Sequence, residues 1–304
     1  MSADPQLPFT WPEQFPPRVA LPRPTFRVLL LHALLLAGTA YTTTVAGVQW
    51  EGIQPGGDLD VLVRGLPFSL TLIAILLTHE GGHYLMCRRH GVDATLPYFL
   101  PAPPIIFPLG TFGAFIRIRS VFPDRRALFD IGAGGPWAGF AVALVALVVG
   151  LPMSKVVPMP AGSPVLELGD SLLTWGLTSL LVDADPRTVV LHPIAFAGWF
   201  GMFVTSINLI PAGQLDGGHI LYAAFGKRNR LVPILLLGTL VWLGSTGWTG
   251  WLLWAAIIAL MGGLGHPPTR ADVVPLDRRR LLGACASLAL FVITFVPEPF
   301  RILD

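Results

Sequence analysis

Residues Pro67 to His83 read P-F-S-L-T-L-I-A-I-L-L-T-H-E-G-G-H, an apolar run with the composition of a membrane span that ends in two histidines and a glutamate. On a helix His79 and His83 stand four positions apart. Both imidazoles then leave one face and can clamp a single metal ion, with Glu80 alongside to handle a metal-bound water. This is the H-E-x-x-H arrangement of a zinc hydrolase. Ionisable groups inside a bilayer are costly unless they meet a partner or water, which marks such a cluster as a functional site. The pattern also arises by chance, so the reading requires a third ligand elsewhere in the chain.

The composition around this stretch agrees with a membrane setting. Of 304 residues, 53% are hydrophobic and 12% charged, and the mean hydropathy is +0.66. These values place the chain among polytopic membrane proteins. A net charge of +2 does not argue for a nucleic-acid partner. With only Cys87 and Cys285 there is neither a disulfide framework nor a cysteine zinc site, so a metal site here is built from histidine and carboxylate.

Upstream, residues 1–25 hold seven prolines and read as an irregular cytoplasmic tail. Phe26 to Val48 is long enough to cross a bilayer, and a short acidic loop leads to the second span, Leu66 to Met86. Downstream, Leu96 to Pro108 is apolar yet contains five prolines and cannot be helical. Non-helical backbone at membrane depth has to be covered by protein or a watery cavity, so residues 96–120 are expected to form a re-entrant element beside the site. Within it, Thr111 to Ser120 alternates, with Phe115, Arg117 and Arg119 on one face and Ile116 and Ile118 on the other. That is a strand signal. Its edge suits the binding of an extended peptide, although an ordinary hairpin closing a loop would read the same way.

A third span, Phe129 to Leu151, opens with Gly132, Gly135 and Gly139, a smooth face for close packing rather than chemistry. Residues 152–191 read as an external loop with a short interfacial helix. The fourth span, Pro193 to Ile210, leads into N-L-I-P-A-G-Q-L-D-G-G-H, Asn208 to His219. Spans five (Leu231 to Ser245), six (Trp248 to Leu264) and seven (Leu281 to Val296) follow. The expected fold is thus an all-α polytopic membrane protein of about seven transmembrane helices plus the small re-entrant β element. Its catalytic core covers 26–225 and three accessory spans cover 226–304. A cytoplasmic N-terminus leaves sixteen Lys and Arg inside and only Arg64, Lys155, Arg187 and Arg301 outside. His79 then lies roughly 13 Å below the cytoplasmic surface.

Asp216 is one of few acidic residues that this topology leaves at membrane depth, and a buried carboxylate needs a metal or a cation. It is the economical third zinc ligand, leaving the fourth position for water; the competing reading is a helix-capping Asp before two glycines. His219 could compete for the metal or be an ordinary interior histidine. Asn208 carries an uncharged donor for a developing oxyanion. Pro211 and Gly213 break the helix, and Gly81, Gly82, Gly217 and Gly218 suggest close backbone approach.

The pair H-E-G-G-H and N-L-I-P-A-G-Q-L-D-G-G-H resembles the site-2 protease family of intramembrane zinc metalloproteases, peptidase family M50. The branch with plastid and cyanobacterial members carries P-D-R-x-A-L-F-D-x-G-A-x-G-P-W-A-G, which stands here as Pro123 to Gly139. The resemblance covers roughly Leu72 to Phe225. It implies one zinc ion per chain held by His79, His83 and Asp216, Glu80 as catalytic acid and base, Asn208 as an active-site helper, and single-span membrane proteins as substrates. Many bacterial relatives carry a PDZ or nucleotide-sensing domain, for which this chain is expected to have no room. Two rivals stand beside the protease: a catalytically silent membrane scaffold or metal-binding protein of the same fold, and a transporter, which would spread polar groups over several spans.

Overall fold

The computed structural model describes residues 24–55, 58–157, 165–183, 189–226, 231–260 and 267–303. Most of the proline-rich tail, Asp185, Arg187, Lys227 to Arg230 and the end of the sixth expected span lie outside the described residues.

Helix α1 (Phe26–Trp50) is followed by a one-and-a-half-turn helix α2 (Leu59–Arg64) and by α3 (Leu66–Arg89). Pro67 sits at the start of α3, where its missing N–H costs nothing. Arg88 and Arg89 occupy the last turn, where they face the negative end of the helix dipole. Strands β1 (Tyr98–Pro101) and β2 (Thr111–Phe115) form an antiparallel hairpin whose register shifts between Phe99 and Pro101.

This hairpin lies along α1. His32 Nδ1 is 2.9 Å from the Pro97 carbonyl, Thr42 donates to Gly110 O at 2.6 Å, and Trp50 Nε1 donates to Pro108 O at 2.9 Å. From His32 to Trp50 is eighteen helical steps, about 27 Å. The expected strand over Thr111 to Ser120 is shorter than predicted: it ends at Phe115, and Ile118 makes only an isolated bridge to Ala94. The alternation has a different cause beyond that point, because Ile116 and Ile118 pack on buried Cys87, Val92 and Ile131.

Helix α4 (Arg125–Gly150) begins at Asp124, whose carboxylate accepts from Ala127 N at 2.8 Å. The segment after it contains β3 (Lys155–Val156), β4 (Val165–Leu168), the helix α5 (Leu172–Leu181) and β5 (Val189–Val190). β3 pairs with β5, and β4 pairs with the C-terminal strand β6 (Phe300–Leu303). The expectation of helices plus one β element is corrected here: the described residues hold three two-stranded sheets. Pairs of two and four residues leave no readable alternation.

Helix α6 (Pro193–Asn208) runs through the centre of the molecule, with twelve of its sixteen residues buried. Its Trp199, Phe200 and Phe203 pack with Phe68, Leu72, Ile75, Ala143 and Leu147 from α3 and α4. Helix α7 (Asp216–Phe225) follows after a tight turn; the sequence did not announce it as a separate helix. The chain continues through α8 (Leu231–Thr246), α9 (Gly250–Leu260) and α10 (Arg278–Thr294). By length and composition α1 and α4 can cross a membrane. The other five expected spans are α3, α6, α8, α9 and α10, of 24, 16, 16, 11 and 17 residues. α10 lies parallel to α4: Arg280 meets Asp130, and seven residues further along both helices Trp137 Nε1 donates to Ser287 Oγ at 2.9 Å.

Candidate metal centre

Helical periodicity puts His79 and His83 on one face of α3, and both are buried. Their Nε2 atoms are 3.2 Å apart. Asp216 Oδ2 lies 3.4 Å from His79 Nε2 and 3.2 Å from His83 Nε2. A tetrahedral zinc with bonds of about 2.0–2.1 Å has ligand-to-ligand edges of about 3.3 Å. The three donor atoms therefore have the spacing and the chemistry of three corners of a zinc site, with the fourth corner left for another ligand. Two facing imidazole nitrogens and a carboxylate oxygen at these distances are well matched to a shared cation.

One tautomer is set by the backbone. His83 Nδ1 donates to the Ile131 carbonyl at 2.7 Å, so the lone pair of Nε2 is directed to the donor triangle. The wall opposite the imidazoles is α4, and it is made of glycine for a direct reason. A Cβ on Gly135 would fall on the His83 ring, and one on Gly139 would come within 3.0 Å of His79 Cβ. The glycine stripe serves close packing as its spacing suggested: Gly135 and Gly139 pack against the pair of histidines, and Gly132 against His219.

Asp216 arrives by a different route. Helix α6 stops at Asn208, and the chain turns through Ile210 to Leu215 before restarting as α7 with Asp216 in its first turn. Gly213 holds φ +59, a conformation that glycine adopts without cost. A Cβ on Gly217 would strike the Leu209 and Ile210 carbonyls, and one on Gly218 those of Ala212 and Gly213. α7 can thus fold back on the end of α6 and present the carboxylate. Of the four glycines expected to mark close approach, Gly82, Gly217 and Gly218 do; Gly81 faces open space.

Glu80 is buried, and its carboxylate lies near the Ile116 main chain just beyond β2. The Asn208 side-chain amide lies 3.2 Å from His79 Nε2, at the rim of the donor triangle. His219 is not in the group that can hold a metal; its ring is tilted against that of Phe122, with centroids 5.7 Å apart. Sequence reasoning missed the Ile131 carbonyl, since a main-chain partner carries no side-chain signature.

The sequence profile of peptidase family M50 matches residues 67–235, which include every residue of the donor triangle. Among similar proteins is the "Probable zinc metalloprotease EGY1, chloroplastic" of Oryza sativa subsp. japonica, 33% identical over 80% of this chain and 43% of the relative. The Arabidopsis thaliana protein of the same name is 35% identical over 76% of this chain and 43% of the relative. The "Probable zinc metalloprotease EGY2, chloroplastic" of Arabidopsis thaliana is 30% identical over 86% of this chain and 47% of the relative. The chain spans less than half the length of these relatives. No solved structure matches. Zinc is the ion that the relatives' names imply, and the donor set fits it. With the profile covering more than half of its length and the donor triangle inside the match, the chain belongs to peptidase family M50.

Proposed function

We propose that this chain is an intramembrane zinc metalloprotease that hydrolyses peptide bonds within or near the transmembrane segments of membrane-protein substrates. The observation that carries the reading is the triangle of His79, His83 and Asp216 donors, 3.2 to 3.4 Å on a side, with buried Glu80 next to it in sequence. Zinc held there supplies Lewis-acid chemistry, acidifying water and polarising a peptide carbonyl. Glu80 takes the proton of the attacking water and returns it to the leaving amine. Asn208 offers its amide to the oxygen that gains charge.

A substrate helix hides its carbonyls in its own hydrogen bonds and has to unwind before it is cut. β2 pairs with β1 along one side, and among the described residues no strand pairs with its other side. That free edge runs from Thr111 to Phe115, next to Ile116 beside Glu80, and it suits a substrate held as an added strand.

The proposed topology has seven spans with a cytoplasmic N-terminus, residues 96–120 as a re-entrant element, and the site near the cytoplasmic side. The excess of basic residues supports it. So does the parallel course of α4 and α10: β4, after α4, pairs with β6, after α10, as an arrangement with both helix ends outside requires. A silent scaffold would be expected to have a broken donor set, whereas here the set is complete.

The test is cleavage of single-span membrane proteins by the purified chain in detergent, with bound zinc quantified. Cleavage within a span that is lost in Glu80→Gln and with chelator is the expected result. Full cleavage by Glu80→Gln would overturn the mechanism.

A further inference from the structure

Asp130 lies on α4 immediately before Ile131, whose carbonyl fixes the His83 tautomer. Its carboxylate is gripped from two other helices. Arg280 of α10 makes a two-pronged contact, Nε to Oδ1 at 2.8 Å and Nη2 to Oδ2 at 2.7 Å, and His90 at the end of α3 places Nε2 2.9 Å from Oδ2. Arg280 is itself held by Asp277, the residue that caps α10. The side chains are only 18 to 29% exposed, so the guanidinium fork and the carboxylate meet where solvent competes weakly.

The consequence is geometric. His83 and His90 stand seven residues apart on one side of α3, and they bond to adjacent residues of α4, Ile131 and Asp130. Asp130 therefore sets how α4 sits against α3, and with it both the carbonyl that orients His83 and the glycine wall that the imidazoles touch. The Arg280 grip comes from a helix that lies beyond the residues matched by the family profile.

We propose that Arg280 is a positioning residue for the metal centre, acting through Asp130: the C-terminal helix tunes zinc affinity from outside the ligand set. This rests on the reading of His79, His83 and Asp216 as a zinc site. Outer partners that orient metal-ligating histidines change metal affinity by about 10- to 100-fold.

The experiment measures zinc dissociation constants of the purified full chain by chelator competition. Arg280→Met and Asp130→Asn are each expected to weaken zinc about 10- to 100-fold. The double variant should be no worse than the stronger single one, because the two residues act as one unit. Ser287→Ala is the control, since it removes the other hydrogen bond between α4 and α10, two turns from the His83 anchor. It should stay within about twofold of wild type, the margin expected for an independent site.

Arg280→Lys keeps the charge but loses the fork and should fall in between; it decides the matter if Arg280→Met does not fold. Wild-type affinity in the Arg280 variants, or an equal loss in Ser287→Ala, would overturn the proposal. Failure of the wild-type chain itself to bind zinc would instead overturn the functional reading.

Discussion

The two halves of the metal centre are built in opposite ways. His79 and His83 sit on an unbroken helix of 24 residues, where regular spacing alone brings them to one face. Asp216 needs the helix to stop: α6 ends at Asn208, Gly213 takes a positive φ, and α7 restarts against the end of α6. A continuous helix supplies two donor groups at fixed separation, and a broken one supplies the third at a chosen angle. The first half takes its spacing from the helix and its room from the glycines of α4, whereas the second depends on glycine backbone in its own turn.

The largest effects should ignore this difference. His79→Ala, His83→Ala and Asp216→Ala each remove one of three donors, and each should leave zinc far below the one ion per chain of the wild type after a chelator wash. Retention of zinc by Asp216→Ala would break the pairing of the two halves. Glu80→Gln should keep its zinc yet lose cleavage by roughly 10²- to 10⁴-fold, read as turnover at full metal loading.

Next comes the wall. Gly135→Ala places a methyl on the His83 ring, so zinc content should fall nearly as far as in a ligand variant although no donor is lost. Gly213→Ala forces an L residue into the left-handed region at a cost of about 1 kcal/mol or more, and the displaced turn should weaken zinc about tenfold. Equal zinc affinity in Gly213→Ala and wild type would show that the broken half is not limited by its turn.

The smallest effect separates two neighbours on the continuous half. Gly82→Ala meets the Gly134 carbonyl and should lower the melting temperature. Gly81→Ala meets open space, and it should raise helix stability by up to about 1 kcal/mol. If Gly81→Ala also impairs cleavage while zinc stays bound, that open space is where substrate lies.

Legibility followed the same division. The helices α1, α3, α4 and α6 could be read because their cause is local, an apolar run of the right length, and the histidine pair because four positions on a helix share a face. Asp216 could be reached only indirectly, by elimination as an acidic residue at membrane depth without a basic neighbour and through the family resemblance of Asn208 to His219. Thr111 to Ser120 alternated for two reasons at once: pairing up to Phe115, and packing of Ile116 and Ile118 beyond it. Arg280 carried no signal, since its partner stands 150 positions away. Nor did β4 and β6, whose four residues mean little until they meet.

That last pairing also bears on how the molecule comes into being. Val165 pairs with Leu303 and Leu168 with Phe300, so this pairing closes loops of 138 and 132 positions. Contacts of such range form late, because the entropy of closure has to be met before they contribute. During synthesis from the N-terminus, residues 79 to 216 are complete well before β6 exists. The donor triangle can therefore gather while the β4–β6 seam is still open, and that seam closes later.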